Sequence, residues 1–297
     1  MTLIADSGST KTDWLLFDGE KAMPVDLPLF HTQGINPVVM SRESILSVLS
    51  SELIPALSRR LESMGEGAGK PITLYYYGAG CRPDQVEKMT SVFKEAFGNA
   101  LIRAGEMSFN SDLLGAARAL CRRSEGIACI LGTGSNSCLY DGTRITENTP
   151  ALGYVLGDEG SGAFLGRRLL TSLYKRMMPS SLREAFEQAY GLTLDDVMAK
   201  VYREPMPNRF LASLAPFLKE HVDDSTINNL IVSAFREFFA NNVKPYGRAD
   251  LPVSFVGSIA HHFSSLLHEA ASEEGFTVGT ILKSPISQLA LFHCTEK

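Results

Sequence analysis

The chain has 297 residues, of which 44% are hydrophobic and 21% charged, a composition that excludes an intrinsically disordered protein. This length exceeds what one hydrophobic core usually organises, so we expect two lobes or a duplicated fold. The formal net charge of −5 excludes a surface built for nucleic acids or anionic membranes, which needs concentrated basic residues, and favours small-molecule partners.

The amino-terminal half alternates between predicted strands and helices. Apolar residues at 3–5 and 14–17 predict two strands joined by a polar, glycine-containing turn. Residues 41–63 have helical spacing of apolar positions, although Pro55 predicts a kink or break. A strand over 72–77 then ends in Gly-Ala-Gly, and an amphipathic helix follows between Val86 and Phe97.

The second half begins with the same kind of pattern. Residues 112–122 predict a helix, and a strand at 127–131 enters a second glycine turn at 132–136. Both glycine turns are followed by Leu-aromatic-Asp-Gly, which indicates an internal repeat. The span from 158 to about 244 is almost wholly helical, after which a strand at 253–256 resumes the alternation. A helix to about residue 274, a strand near 280 and a last helix from 286 complete the prediction.

The two glycine turns suit the phosphates of a nucleotide, because backbone N–H groups approach phosphate oxygens only where no Cβ intervenes. Hydroxyl groups and one lysine at these turns add donors and positive charge. The alternative is a pair of ordinary surface turns. Neither turn has the Walker A pattern or the Rossmann glycine pattern.

Five segments, taken in order, resemble the N-acetylglucosamine kinase and BadF/BadG-type ATPase family, within the superfamily of actin, hexokinase and the chaperone ATPases. Segments 6–12 and 132–136 are similar to its two phosphate loops, 112–117 to its catalytic-aspartate segment, 153–161 to its sugar-side signature and 256–260 to its adenosine motif. The first loop departs from the triple-glycine form of this family. Gly153-Tyr154 stands where some sugar-kinase relatives have glycine followed by tryptophan. The acceptor therefore stays open between N-acetylglucosamine, N-acetylmuramic acid and glucosamine.

The resemblance implies an α/β fold, a duplicated ribonuclease-H-like (actin/hexokinase-type) pair of lobes with mixed five-stranded sheets and an ATP cleft between the lobes. We expect a first lobe over 1–110, onto which a final helix at 286–297 packs back. The second lobe is expected over 111–285, with a helical insertion at about 158–244. The helical region and the resemblance also favour a homodimer.

The resemblance implies a kinase that uses ATP and Mg²⁺ to phosphorylate an amino sugar, N-acetylglucosamine at its 6-hydroxyl being favoured. The residues that it assigns to the phosphates and adenosine are Gly8, Ser9, Thr10, Lys11, Gly132, Thr133, Gly134, Ser135, Gly257 and Ser258. The sugar contacts that it implies are Asn36, Gly153 and Asp158. Asn36 precedes proline and Asp158 precedes a long helix, so turn formation and helix capping remain alternatives.

Two further carboxylates have roles in this hypothesis. Asn110 and Ser111 are placed to cap a helix at Asp112, and the positive end of the helix dipole should keep Asp112 ionised. Asp112 would then accept the proton of the sugar hydroxyl or orient that hydroxyl in line with the γ-phosphorus. Asp6 ends an apolar strand beside the first turn, where a water-mediated Mg²⁺ contact would offset phosphate repulsion. The alternatives are an ordinary helix-terminal carboxylate for Asp112 and an Asx turn for Asp6.

Two other functions are weighed against the kinase. An ATP-driven activator of a dehydratase, from the other branch of the family, would need an iron–sulfur cluster, but the five scattered cysteines form no ligand motif. A non-catalytic sugar-binding regulator would leave Asp112 without a use, and the chain starts directly in its first strand. With no signal-peptide pattern, no bilayer-spanning apolar run and no Cys-x-x-Cys pair, we expect a protein of the reducing cytoplasm.

Overall fold

The computed structural model describes residues 1–8, 10–19, 27–65 and 70–294. Packing divides the chain into two compact units, unit 1 comprising Met1–Arg123 with Ser284–Lys297 and unit 2 comprising Ser124–Lys283. From the sequence we expect lobe boundaries at residues 110 and 285, whereas the two units meet after Arg123 and after Lys283. The expected boundaries stay a prediction. In the part of the chain that is described, no helix is long and apolar enough to cross a membrane.

Unit 1 is built on a five-stranded mixed sheet. Its strands are β1 (Thr2–Ser7), β2 (Lys11–Phe17), β3 (Phe30–Gln33), β4 (Ile72–Gly78) and β5 (Ala104–Ser111). They are ordered β3-β2-β1-β4-β5, with β2 antiparallel to both of its neighbours, β3 and β1, and with β1, β4 and β5 parallel to one another. The carboxyl ends of β1, β4 and β5 therefore share one edge of the sheet, where Asp6, Gly78 and Asp112 are found.

Helices cover this sheet. In unit 1 they are α1 (Arg42–Val48), α2 (Ile54–Ser63), α3 (Val86–Asn99), α4 (Asp112–Cys121) and, as the last element of the chain, α14 (Ile286–Cys294). A single π-helical turn at Leu49–Leu53 separates α1 from α2, because Pro55 in the first turn of α2 lacks the N–H that would continue the α-helical ladder. The predicted break is thus located just before the proline.

An aromatic cluster fills the core of unit 1. The Tyr76 ring lies 6.4 Å from Trp14, 5.9 Å from Phe93 and 5.8 Å from Phe109, measured between ring centroids. Aromatic pairs at these separations add stabilisation beyond the apolar area that they bury. These contacts fix the position of β4, which carries Tyr76. The strands β1 and β5, which pair with β4, are therefore fixed as well.

Unit 2 repeats this architecture. Its strands are β6 (Gly126–Leu131), β7 (Ser135–Tyr140), β8 (Ile145–Glu147), β9 (Val253–Val256) and β10 (Val278–Leu282). The order is β8-β7-β6-β9-β10, with the first three antiparallel and the last three parallel, which is the order and orientation of the unit 1 sheet. The predicted α/β fold with two mixed five-stranded sheets is confirmed, and both glycine turns join the first hairpin of a unit.

The helices of unit 2 lie mostly between β8 and β9. They are α5 (Gly153–Leu156), α6 (Gly162–Tyr174), α7 (Ser180–Tyr190), α8 (Leu194–Tyr202), α9 (Pro207–Ala212), α10 (Ala215–Glu220), α11 (Ser225–Phe238), α12 (Ser258–His262) and α13 (Ser264–Glu273). A π-helical turn at Phe239–Val243 extends α11, and the rings of Phe238, Phe239 and Phe255 contact one another at its start. The largely helical span predicted for 158–244 is confirmed.

Candidate active site

The first glycine turn closes the hairpin of β1 and β2 in unit 1. The backbone N–H of Gly8 donates to the carbonyl oxygen of Lys11 at 3.0 Å, and the N–H of Gly34 donates to the carbonyl oxygen of Thr10 at 3.1 Å. The ammonium group of Lys11 lies 2.9 Å from the Asp13 carboxylate. Ser9, the remaining phosphate residue predicted here, lies outside the described residues.

A buried polar network anchors this turn, and sequence reasoning did not identify it. The Ser7 and Thr12 hydroxyl groups lie 2.7 Å apart, and the N–H of Ile35 donates to the Ser7 hydroxyl at 3.0 Å. The Tyr76 hydroxyl donates to the Ile35 carbonyl at 2.8 Å. Buried hydrogen bonds of this kind fix the geometry of the groups that they join. The network therefore fixes the position of the glycine turn relative to the Gly34–Pro37 turn.

Asp6 lies within β1, directly opposite Asp13 on β2 and Tyr77 on β4. Burial, followed by the nearby negative charges of Asp13 and Asp112, raises the pKa of the Asp6 carboxyl to about 7, while Lys11 acts in the opposite direction. Asp6 is therefore a strand residue among other carboxylates rather than the cap of a turn. A carboxylate group in these surroundings fits a divalent cation, which would favour its ionised form.

Asp112 is the first residue of α4. The Ser111 hydroxyl accepts a hydrogen bond from the N–H of Leu114 at 3.2 Å, as predicted for the cap, and Asp112 itself accepts one from the N–H of Leu113 at 2.9 Å. Burial nevertheless raises the pKa of Asp112, so desolvation outweighs the backbone amides that favour the ionised form. A carboxylate with a raised pKa is a stronger proton acceptor than a surface aspartate once it is ionised.

Asn36 lies in a turn that packs against the end of β4. Its side-chain oxygen accepts a hydrogen bond from the N–H of Val38 at 3.0 Å, and the Lys88 ammonium donates to the carbonyl oxygens of Pro37 and Met40, each at 2.7 Å. Gly80 has a left-handed φ of +76°, and a Cβ placed on it would lie 2.2 Å from the Asn36 side-chain oxygen. The turn is thus fixed from two sides.

The second glycine turn closes the hairpin of β6 and β7 in unit 2. The N–H of Gly162, at the start of α6, donates to the Gly132 carbonyl at 2.8 Å, and that of Ala163 donates to the Thr133 carbonyl at 3.1 Å. The Ser135 hydroxyl is buried and has no hydrogen-bond partner among the described residues. A buried hydroxyl group without a partner is costly, so this one is suited to a ligand at the turn.

Asp158 lies against this second turn. Its carboxylate accepts a hydrogen bond from the N–H of Ser135 at 3.3 Å, and burial raises its pKa. The cap of α6 is Ser161, whose hydroxyl accepts from the N–H of Phe164 at 3.2 Å, so Asp158 is not needed for capping. The predicted sugar contact of Asp158 stays a prediction.

The remaining predicted residues also lie in unit 2. Gly257 has a φ of +131°, and a Cβ on it would lie 2.1 Å from the Leu131 carbonyl oxygen, at the start of the second glycine turn. Ser258 follows as the exposed first residue of α12. Gly153 begins α5 with a φ of +75°. Among the residues that the structure describes, no group of three or more His, Cys, Asp or Glu side chains is arranged to hold a metal ion.

Solved structures of other proteins resemble this chain in sequence and in fold. A crystal structure from Porphyromonas gingivalis is 45% identical to it, covers 100% of this chain and 99% of its own, and superposes with a TM-score of 0.90. That protein bears the name "putative N-acetylglucosamine kinase". This chain belongs to the N-acetylglucosamine kinase-like family. No family model matches it, and no curated protein matches it.

More distant structures share the fold of this N-acetylglucosamine kinase-like protein. A Chromobacterium violaceum protein of the same name has 20% identity and a TM-score of 0.71, with 98% of each chain covered. A ROK hexokinase from Thermus thermophilus has 15% identity and a TM-score of 0.55, with 98% of this chain and 97% of the other covered. At these identities, the likeness supports the two-sheet architecture alone.

In the N-acetylglucosamine kinase-like chain, the predicted residues thus fall into two groups. Unit 1 holds the first glycine turn with Asp6, Asn36 and Asp112, and unit 2 holds the second glycine turn with Asp158 and Gly257. Sequence reasoning did not single out Ser7, Tyr76 or Gly80. Ser7 and Tyr76 fix the first turn through hydrogen bonds between strands and turns, and Gly80 packs against the Asn36 turn. Ser7 lies within the 6–12 segment, and a Gly-Ala-Gly step that begins at the last residue of β4 was the signal for Gly80.

Proposed function

We propose that this protein transfers the γ-phosphoryl group of ATP to the 6-hydroxyl of N-acetylglucosamine. The observation that carries the proposal is full-length similarity, at 45% identity, to a protein that bears the name "putative N-acetylglucosamine kinase". It is supported by a carboxylate at the first turn of α4 and by two glycine turns at equivalent hairpins of the two sheets.

In the proposed reaction, Asp112 accepts the proton of the sugar hydroxyl. The hydroxyl oxygen forms a bond to the γ-phosphorus while the bond from that phosphorus to the bridging oxygen of ADP breaks, giving a sugar phosphate and ADP. The raised pKa of Asp112 suits it to take up this proton. Ser111 and Leu113 fix the carboxylate at the start of α4, and a fixed base does not need to reorganise during the transfer.

The nucleotide would be bound through backbone N–H groups of the two glycine turns. The buried Ser135 hydroxyl would supply one further donor, and Lys11 would add positive charge beside the first turn. Mg²⁺ bound with ATP would neutralise charge on the phosphate oxygens, and Asp6 would contact it through water. The proximity of Asp6 to two other carboxylates supports this role for a cation.

The acceptor sugar would be recognised by Asn36, Asp158 and Gly153. The Asn36 turn is rigid because Lys88 and Gly80 fix it, and a rigid amide group discriminates well between a hydroxyl and an N-acetyl substituent. The Asp158 carboxylate would accept hydrogen bonds from sugar hydroxyl groups. N-acetylglucosamine is the favoured acceptor because the full-length relative bears its name.

The cysteines give no support to the activator alternative. Cys81, Cys129 and Cys138 are buried, and Cys121 and Cys294 are partly buried. Burial raises the pKa of the Cys81 thiol to about 12 and that of the Cys121 thiol to about 11. Iron–sulfur ligation needs accessible thiolates, which these surroundings oppose.

Release of ADP from Mg·ATP over a panel of acceptors tests the proposal. The panel comprises N-acetylglucosamine, N-acetylmuramic acid, glucosamine, glucose and a reaction without acceptor. We expect ADP release that depends on N-acetylglucosamine, and a product whose phosphorus signal couples to the protons on carbon 6. ADP release that does not change with any acceptor would contradict the proposal.

A further inference from the structure

Tyr77 of β4 is the point at which the sheet and two helices of unit 1 meet. Its side chain is fully buried, and it lies directly opposite Asp6 of β1 in the register of the parallel pair. Its hydroxyl lies 2.8 Å from a ring nitrogen of His293 on α14. The Arg118 guanidinium of α4 donates to the same hydroxyl at 2.7 Å.

The α4 helix lies very close to Tyr77 at Gly115. A Cβ placed on Gly115 would lie 2.9 Å from both Cβ and Cγ of Tyr77, a distance that real Cβ atoms do not reach. Glycine is an unfavourable residue inside a helix, by about 1 kcal/mol relative to alanine. Its presence here is explained by the close contact with the tyrosine.

Three residues of α4 form one row along the face that meets the sheet. Asp112, Gly115 and Arg118 are spaced three residues apart, so each is next to the following one on the helix surface. The middle residue of the row rests on the Tyr77 ring, and the last donates to its hydroxyl. The first residue of the row is the carboxylate proposed as the base.

The last helix of the chain holds this arrangement from the other side. The His293 ring stacks on Tyr75 with centroids 3.6 Å apart, and the Arg118 guanidinium lies 5.4 Å from the centre of the Phe292 ring. A cation over an aromatic face is attracted by the ring, more strongly when both are shielded from water. α14 therefore restrains the arginine that reaches Tyr77.

We infer that Tyr77 is a positioning residue that sets how far α4 lies from the sheet, and so sets the separation between the carboxylates of Asp112 and Asp6. The inference rests on the proposed function, because it gives Asp112 the role of the base. A displacement of about 1 Å at a reacting group costs about a hundredfold in rate, so this contact would act on turnover rather than on nucleotide affinity.

Three variants test the inference. Gly115→Ala forces the helix away from the ring, Tyr77→Phe removes only the shared hydroxyl, and Arg118→Met removes its donor. Gly98→Ala in α3 is the matched control, because a Cβ at Gly98 meets nothing within 4 Å. We expect kcat to fall about tenfold to a hundredfold in Gly115→Ala, and less in the other two, with the Kd for ATP unchanged within about twofold.

The double variant Tyr77→Phe/Arg118→Met adds a coupling test. If the two groups act through one hydrogen bond, the loss of kcat in the double variant should be close to that in either single variant rather than their product. Fully multiplicative losses, or a kcat in Gly115→Ala equal to that of Gly98→Ala, would overturn the inference.

Amide hydrogen exchange separates this inference from the proposed function. We expect the N–H groups of Leu113 and Leu114 to exchange faster in Gly115→Ala and Tyr77→Phe than in the wild type and in Gly98→Ala. This readout needs no sugar substrate, so it stands even if no acceptor is phosphorylated. Unchanged exchange at α4 in both variants, with unchanged melting temperatures, would overturn the inference whatever the activity.

Discussion

Asp6 shows how strongly its surroundings change an ordinary aspartate. Its strand position, opposite Asp13 and near Asp112, combines burial with two negative neighbours, and its pKa rises from 3.8 to about 7. A raised pKa means that the folded protein prefers the protonated carboxyl. Without a cation, ionised Asp6 therefore lowers the free energy of unfolding.

This shift predicts how the stability of the metal-free protein depends on pH. The stabilising contribution of protonated Asp6 is fully present below about pH 4 and is lost as the pH rises through about 7. Melting temperatures in a chelating buffer should therefore fall between about pH 4 and about pH 7 in the wild type, and fall less in Asp6→Asn. Parallel profiles for the two proteins would contradict the assignment.

Residue-level predictions from the sequence succeeded where the signal was local. Ser111 as the cap of α4 follows from a short polar residue before a helix, and the structure has this hydrogen bond. The raised pKa of Asp112 was not foreseen, because burial depends on distant parts of the chain that cover it. The ion pair of Lys11 with Asp13, in contrast, is local, because residues two apart on β2 have their side chains on the same face of the strand.

At the level of elements, the turn after β4 and the Asn36 turn depend on each other. Gly80 forms the contact between them. Two features require glycine here: the backbone is left-handed, and there is no space for a side chain beside Asn36. These two effects can be separated, because Gly275 has a similar φ of +80° and a Cβ on it meets nothing within 4 Å.

The pair Gly80→Ala and Gly275→Ala makes this comparison. Both variants force alanine into the left-handed region, at about 1–2 kcal/mol each, but only Gly80→Ala displaces the Asn36 side chain. We expect the KM for N-acetylglucosamine to rise about tenfold or more in Gly80→Ala alone, since the proposed sugar contact moves. Equal KM values in the two variants would remove Asn36 from the sugar site.

Central strands could be predicted from the sequence, whereas most edge strands could not. β1, β4, β6 and β9 lie inside their sheets and have apolar runs that indicate strands directly. Three edge strands, β3, β5 and β8, are short or carry polar residues and glycine, so their sequence does not stand out from a loop. Their number was expected from the family resemblance alone.

At the scale of the whole molecule, the repeated strand order is the main finding. Each unit places a glycine turn after its first strand, and the two turns share only a few residues in sequence. The sequence similarity between the hairpins indicated a duplication, but the matching order of five strands establishes it. The fold therefore agrees with the family to which the chain belongs.

The central claim, that Asp112 is the base of a sugar kinase, is tested most directly by Asp112→Asn. This change keeps the size of the side chain and its place at the start of α4, and removes its ability to accept the proton. With N-acetylglucosamine and Mg·ATP, we expect kcat to fall about 10² to 10⁴-fold, while the Kd for ATP measured by calorimetry stays within about twofold. Undiminished turnover in Asp112→Asn would contradict the account.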